Sequence, residues 1–152
     1  MSYVKHVLLP DEKIRFITNI HWIKYTPGAL LVLLGCVIYL WSVNVERMHS
    51  VVMLGALAVL AAGITSLFIT WFKRWTTEIA VTDRRIIYKE GFISRRTIEM
   101  HMDKVESVDV EQSVLGRLLG YGDILVRGVG MGFEPLKTIA SAIEFRNHVT
   151  AE

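Results

Sequence analysis

Hydrophobic and polar positions along this chain fall into three regimes. Between Glu12 and Trp22, residues Ile14, Phe16, Thr18, Ile20 and Trp22 occupy alternate positions, the period-two signature of a strand with one buried face. From Thr26 to Val45 and again from Ser50 to Phe72 the chain is apolar and uncharged. At 1.5 Å per residue, a helix of about 20 residues crosses a hydrocarbon core of about 30 Å. From Trp75 onward, short alternating runs return. Ile79 and Val81 share a face in TTEIAVT, RRIIYKE follows Thr82-Asp83, and Glu90-Gly91 reads as a hairpin turn before FISRRTIEM. KVESVDVEQ carries Val105, Val108 and Val110, and DILVRGV and EPLKTIA supply two more runs. Strands at such spacing predict an antiparallel barrel or sandwich. Ser141 three residues before Glu144 is a capping box. Ala142, Phe145 and Val149 then share one face of a final helix packed on the sheet.

These regimes divide the chain into an N-terminal segment, 1–24, an apolar helical hairpin, 25–74, and a β-rich domain, 75–152. The N-terminal strand is expected to pair with the C-terminal sheet. The two spans, about 26–45 and 50–72, are joined by the short stretch from Asn44 to Ser50, which forces an antiparallel hairpin. Lys5, Lys13, Arg15 and Lys24 precede the first span, and Lys73, Arg74, Arg84 and Arg85 follow the second, while the loop offers only Arg47. Basic flanks stay in the cytoplasm, so both termini are expected there and the protein is expected to be multi-pass. Trp22, Tyr25, Tyr39, Trp41, Trp71, Phe72 and Trp75 lie at the span ends, as headgroup-level aromatic rings do. A pair of buried core helices in a soluble protein is the alternative, but so short a chain has little material to cover both. The first span also lacks the layout of a cleavable signal peptide. Ala58, Ala62 and Ser66 recur every four residues with Gly55 and Gly63 nearby. Such a stripe packs either against the first span, through Gly28, Gly35 or Cys36, or against another copy.

Charge changes this picture little. The 152 residues are 52% hydrophobic with a formal net charge of +2. The pI of 8.8 reflects basic residues beside the apolar spans, because residues 75–152 carry ten Lys/Arg against twelve Asp/Glu. A slightly acidic domain lacks the clustered basic footprint of nucleic-acid binding. Cys36 is the one cysteine, which excludes an intrachain disulfide and a multi-cysteine metal site.

Candidate chemistry is sparse. RGVGMGF contains Gly128, Gly130 and Gly132, but a dinucleotide fingerprint needs a helix after its glycines, and here a strand follows. Met100-His101-Met102 alternates along a strand, so its side chains point to opposite faces. No catalytic constellation, metal site or cofactor is expected. Two residue sets remain. Arg84, Arg85, Arg95 and Arg96, which a hairpin can bring together, join Lys73 and Arg74 as candidate anionic-lipid contacts; the simpler reading is pairing with Glu78, Glu90 or Glu99. The glycine-framed insert SVLGRLLGYG carries Leu115, Arg117, Leu118, Leu119 and Tyr121 as candidate oligomer contacts, unless its leucines plug an open end of the barrel.

The run VTDRRIIYKEGFISRRTIEMHMDKVESVDVEQSVLGRLLGYGDILVRGVG, residues 81–130, resembles the bacterial pleckstrin-homology (PH) domain of small membrane proteins. The matching pieces are the TDRR turn, the EGFISRR hairpin, Gln112-Ser113 and above all LGRLLGYGDILV; LLPDEK at 8–13 and His21-Trp22 extend the likeness upstream. Asp11 departs from the pattern, which favours Gly after Pro10. The resemblance implies an α+β membrane protein with a two-helix transmembrane hairpin and a PH-like antiparallel β-barrel or sandwich ending in a helix. It implies little about activity. The expected function is a membrane-anchored, self-associating interaction module at the cytoplasmic face of the bacterial inner membrane, with the lipid bilayer, a second copy and other membrane proteins as partners, and no nucleic acid. An anionic-lipid-binding or lipid-sensing module is the alternative, and an enzyme ranks last.

The topology is testable on intact cells. In a Cys36→Ala background, a cysteine at Asn44 should react with a membrane-impermeant thiol reagent and one at Ala151 should not. The reverse labelling would defeat the orientation.

Overall fold

The structure, a computed structural model, describes residues 7–9, 11–43, 49–92, 96–129, 131–132 and 135–150. The chain forms two compact units, Trp22–Phe72 and the remainder on either side of it.

In the first unit a 3-10 turn, Trp22–Tyr25, leads into helix α1, Thr26–Ser42, and α2 spans His49–Thr76, its last turn lying in the other unit. Pro27 falls in the first turn of α1, where its missing N–H costs nothing. The helices pack antiparallel: Gly28 lies against Leu67, Val32 against Gly63 and Gly35 against Leu60. A Cβ at Gly28, Gly35 or Gly63 would come within 2.9 Å of those neighbours, so these glycines permit the approach. Of the small residues named from the sequence, Gly63 packs on α1 beside Gly28, as one of the two readings expects, whereas Ala58 and Ala62 are exposed, as is Cys36, and Gly55 meets nothing. Both helices are long and apolar enough to cross a membrane, and only 11% of each apolar window is buried. The Asn44–Ser50 connection falls mostly outside the described residues.

The second unit is a mixed α/β arrangement of two sheets. Strands β1 (Ile14–Thr18), β2 (Glu78–Thr82), β3 (Arg85–Glu90) and β4 (Arg96–His101) form one antiparallel sheet in that order. In the other, β6 (Tyr121–Gly128) pairs with β5 (Val105–Glu111), β7 (Met131–Gly132) and β8 (Leu136–Ala140). The next element described after the glycines is a strand, β8, which disposes of the dinucleotide reading. The sheets meet on one side through an isolated bridge between Ile20 and Ile139, flanked by hydrogen bonds from His21 N–H to the Thr138 carbonyl and from Ala140 N–H to the Asn19 carbonyl. On the other side a 3-10 corner, Met102–Lys104, separates β4 from β5, which do not pair among the described residues. The expected barrel is therefore not closed; the sheets form an open sandwich.

The core follows from the alternation. Ile79, Val81 and Ile86 of the first sheet face Ile124, Val126, Leu136 and Ile139 of the second. Helix α3, Val114–Leu119, occupies the glycine-framed insert, and α4, Ala142–Thr150, buries Ala142 and Phe145 in the core. Two bulges correct the simple period. One between Val105 and Ser107 lets Val105 and Val108, an odd spacing apart, both pack on the core. One between Ile14 and Phe16 sends Phe16 to the core and Ile14 to a second cluster with Ala80 and Ile87. The capping box expected at Ser141 is replaced by a sharp turn. Ser141 adopts φ 51 and gives its N–H to the Gly120 carbonyl, whereas an N-cap is extended.

Phe145→Asp should destabilise this unit by a few kcal/mol, because it buries an unpaired charge. Thermal melting and protease resistance of the solubilised chain would read this loss; unchanged values would mean that α4 does not dock.

Candidate functional site

The basic residues do not assemble as the sequence suggested. Arg85 opposes His101 at one end of the β3–β4 pair, and Arg96 opposes Glu90 at the other, roughly 17 Å away at about 3.3 Å per residue. A hairpin brings together residues flanking its own turn; Arg84 and Arg85 flank the preceding one. Lys73, Arg84 and Arg96 are exposed and Arg74 is half-buried, while Arg95 lies outside the described residues.

Arg85 is withdrawn from any lipid contact by two ion pairs, one with Glu99, which the simpler sequence reading expects, and one with Glu12, which it misses. Its Nε and Nη2 donate to the two carboxylate oxygens of Glu12 at 3.0 and 2.8 Å, and its Nη1 donates to Glu99 at 2.7 Å. Nη2 also reaches the Val7 carbonyl at 2.9 Å. The Glu12 side chain is 0% exposed and that of Arg85 10%. The Thr82 hydroxyl donates to Glu12 at 2.7 Å, and the Leu9 N–H donates at 2.9 Å. This bidentate geometry suits a guanidinium and a carboxylate. Burial alone would raise the Glu12 pKa; the hydrogen bonds from Arg85, Leu9 and Thr82 and the Arg85 charge outweigh it, lowering the value to about 2. The pattern LLPDEK followed by TDRR held the signal, but nothing in its spacing says that residues 73 positions apart meet. Asp11 takes φ 72 in the turn before Glu12, a left-handed conformation that suits the Gly expected there and that Asp tolerates.

The insert forms α3. The Ser113 hydroxyl accepts from Gly116 N–H, and Gly120, at φ 76, ends the helix in the left-handed conformation that glycine adopts freely. Its leucines do not plug the sandwich. Val114 and Leu118 are 86% and 81% exposed, and Leu115, Arg117 and Leu119 are exposed beside them. Tyr121 is half-buried and stacks on His21 with ring centroids 5.0 Å apart. His21, not singled out from the sequence as a site, is buried; that burial, and secondarily the Arg74 charge, lower its pKa against a hydrogen bond with the Leu119 backbone.

A cleft of about 450 Å³ opens beside α3, lined by Glu111, Gln112, Ser113, Tyr121, Gly122, Asp123 and Thr138. Its polar groups serve one another: Gln112 Nε2 donates to the Tyr121 carbonyl, and Thr138 N–H to Asp123. Among the described residues no group of three or more His, Cys, Asp and Glu side chains could hold a metal ion. His101 is exposed, whereas Met100 and Met102 pack on the core.

A family model described as "Bacterial PH domain" matches residues 17–152. The chain belongs to the bacterial PH domain family. The match takes in both apolar helices and most of the two sheets, with Thr82, Arg85 and Glu99, and begins after Glu12, whose ion pair with Arg85 clamps the N-terminal strand to the sheet. No curated protein and no solved structure matches the chain. A PH-like domain is an interaction or lipid-binding module by type; the residues above show which surfaces this one leaves open.

Because the folded pKa of Glu12 lies below its ordinary 4.5, the clamp stabilises the PH domain fully above that value and loses its contribution as pH falls toward 2. Glu12→Gln should cost about 3 kcal/mol, since it leaves a buried guanidinium half-compensated. It should also flatten the stability profile below pH 4.5. Denaturant titrations across pH would check both, and a variant with unchanged slope would remove Glu12 as the acid-sensitive group.

Proposed function

We propose that this chain is a membrane-anchored interaction module. The two apolar helices cross the bacterial inner membrane as a hairpin with both termini cytoplasmic, and the PH-like unit makes protein contacts there, including self-association. The observation that carries the reading is the open seam of the sandwich. Strands β4 and β5 follow one another around the 3-10 corner, and each pairs on one side only among the described residues. Unpaired strand edges are templates for an added strand. Anchoring is supported by the outward apolar faces of α1 and α2, where Leu30, Leu33, Leu40, Leu54, Ile64 and Phe68 are all exposed; a soluble core helix hides such residues. PH domains are typically non-catalytic interaction modules, in keeping with this reading.

The lipid-reading alternative needs a basic pocket. The clamp consumes Arg85, and Arg84 and Arg96 stand at opposite strand ends, which favours protein contact over headgroup recognition.

Native mass spectrometry of the full chain, released from mild detergent or nanodiscs, separates the two. The expected result is a homo-oligomer with loosely held lipid that Arg84→Glu with Arg96→Glu leaves unchanged. A monomer in every mild condition, at concentrations well above the cellular level, would refute self-association. Tight, salt-sensitive and headgroup-selective lipid retention would promote the lipid reader.

A further inference from the structure

The PH-like unit concentrates its exposed large apolar side chains at one end. On α3, Val114, Leu115 and Leu118 form an outward face, while Gly116 on the other side is buried close to the Tyr121 carbonyl. On the first sheet's side, Phe92, just beyond β3, is 56% exposed and lies against Trp75, itself 62% exposed, with the rings tilted and their centroids 5.9 Å apart.

Strand registers put these features together. Thr18 pairs with Ile79, Glu78 with Lys89 and Glu90 with Arg96, so the end of β1, the start of β2, the end of β3 and the start of β4 share an end. In the second sheet Glu111 pairs with Asp123 and Tyr121 with Ala140, which puts α3 beside the end of β8. Asn19 and His21 bond to Ala140 and Thr138, and His21 stacks on Tyr121, so the two sheets' ends coincide. Here the chain leaves the unit after His21 and returns at Lys73. Leu9, Ile17, Val129 and Ile143 of this unit are exposed as well, as surface apolar residues commonly are.

We propose that this end is a lipid footing: α3, through Val114, Leu115 and Leu118, and the Trp75–Phe92 pair rest in the headgroup region of the bilayer. The inference rests on the membrane reading given above. Two apolar projections from different sheets flank both chain crossings, and a bilayer surface at those crossings can meet both together. A helix with an apolar outward face, and aromatic rings next to Lys73 and Arg74, are what an interfacial contact uses. Acidic Glu90, Glu111 and Asp123 share this end with the basic residues, so the footing is apolar and indifferent to headgroup identity.

The test uses the full chain, one copy per nanodisc of phosphatidylethanolamine and phosphatidylglycerol, in a Cys36→Ser background. Cysteines replace Leu118, Val114, Phe92, Ala61 and Asp103 in turn and carry an environment-sensitive fluorophore. Probes at Leu118, Val114 and Phe92 are expected to show blue-shifted emission, quenching by lipids bearing a nitroxide near the headgroup, and protection from aqueous iodide. The probe at Ala61, midway along α2, should be quenched by a nitroxide deep in the acyl chain, and the one at Asp103, in the opposite corner, by iodide alone. If the α3 and Phe92 probes behave like Asp103 while Ala61 is quenched by the deep nitroxide, the footing is wrong and the membrane reading survives. If Ala61 also behaves like Asp103, both fall. Blue shifts that need two copies per disc and ignore lipid nitroxides would assign the surface to a second copy and overturn the proposal.

Discussion

Strands β1 and β2 are hydrogen-bonded neighbours, yet the whole apolar hairpin is inserted between them. Thr18 lies opposite Ile79, so the chain leaves the sheet and must return one strand spacing away, about 5 Å. A single long helix would end too far off to close that excursion. Two antiparallel helices meet the condition, and Gly28, Gly35 and Gly63 let them approach closely enough to hold it. Closing a long excursion also carries an entropic cost that grows slowly with length. The five-residue strand β1 must therefore be secured by more than its own hydrogen bonds.

The Glu12 clamp secures it from the far end. Glu12 precedes β1 and Arg85 begins β3, so the ion pair bridges β2 and joins the start of the N-terminal strand to the sheet's turn. Lys13 and Asp83 reinforce it through paired backbone and side-chain hydrogen bonds. A buried pair gains little net energy against its desolvation, but losing one partner is costly. Such a pair penalises any register in which Glu12 misses Arg85, and a slip of one residue would turn Phe16 out of the core. The clamp sits beside the bulge between Ile14 and Phe16, where register is otherwise least determined.

Periodicity made much of this fold legible and long-range pairing made the rest illegible. Ile79, Val81 and Phe145 were readable as core because alternation and helical spacing report which face is buried. The two long helices were readable from length and apolarity. The bulges are less so: the odd spacing of Val105 and Val108 marks one, but the unbroken alternation of Ile14 and Phe16 hides the other and puts Ile14 on the wrong face. Arg85 looked like one of a surface cluster because sequence places it beside Arg84 and near Arg95 and Arg96, whereas its fate depends on a carboxylate 73 positions away. The leucines of α3 are legible as more than a turn requires, but only the structure shows that they stay out of the core.

The unit thus separates its surfaces by direction. The end carrying the chain crossings is apolar and aromatic, with Trp75, Phe92 and α3. The opposite end of the first sheet is occupied by the self-satisfied network of Glu12, Thr82, Arg85 and Glu99, whose charges are spent internally and offer little to a ligand. What lies between, along the strands, is the seam of β4 and β5, the place where backbone groups of a sheet lack a strand beyond them among the described residues. That edge runs between the two ends, and Glu99, on β4, ties it to the clamp. On the reading proposed above, it is the surface on which a partner strand adds to the sandwich.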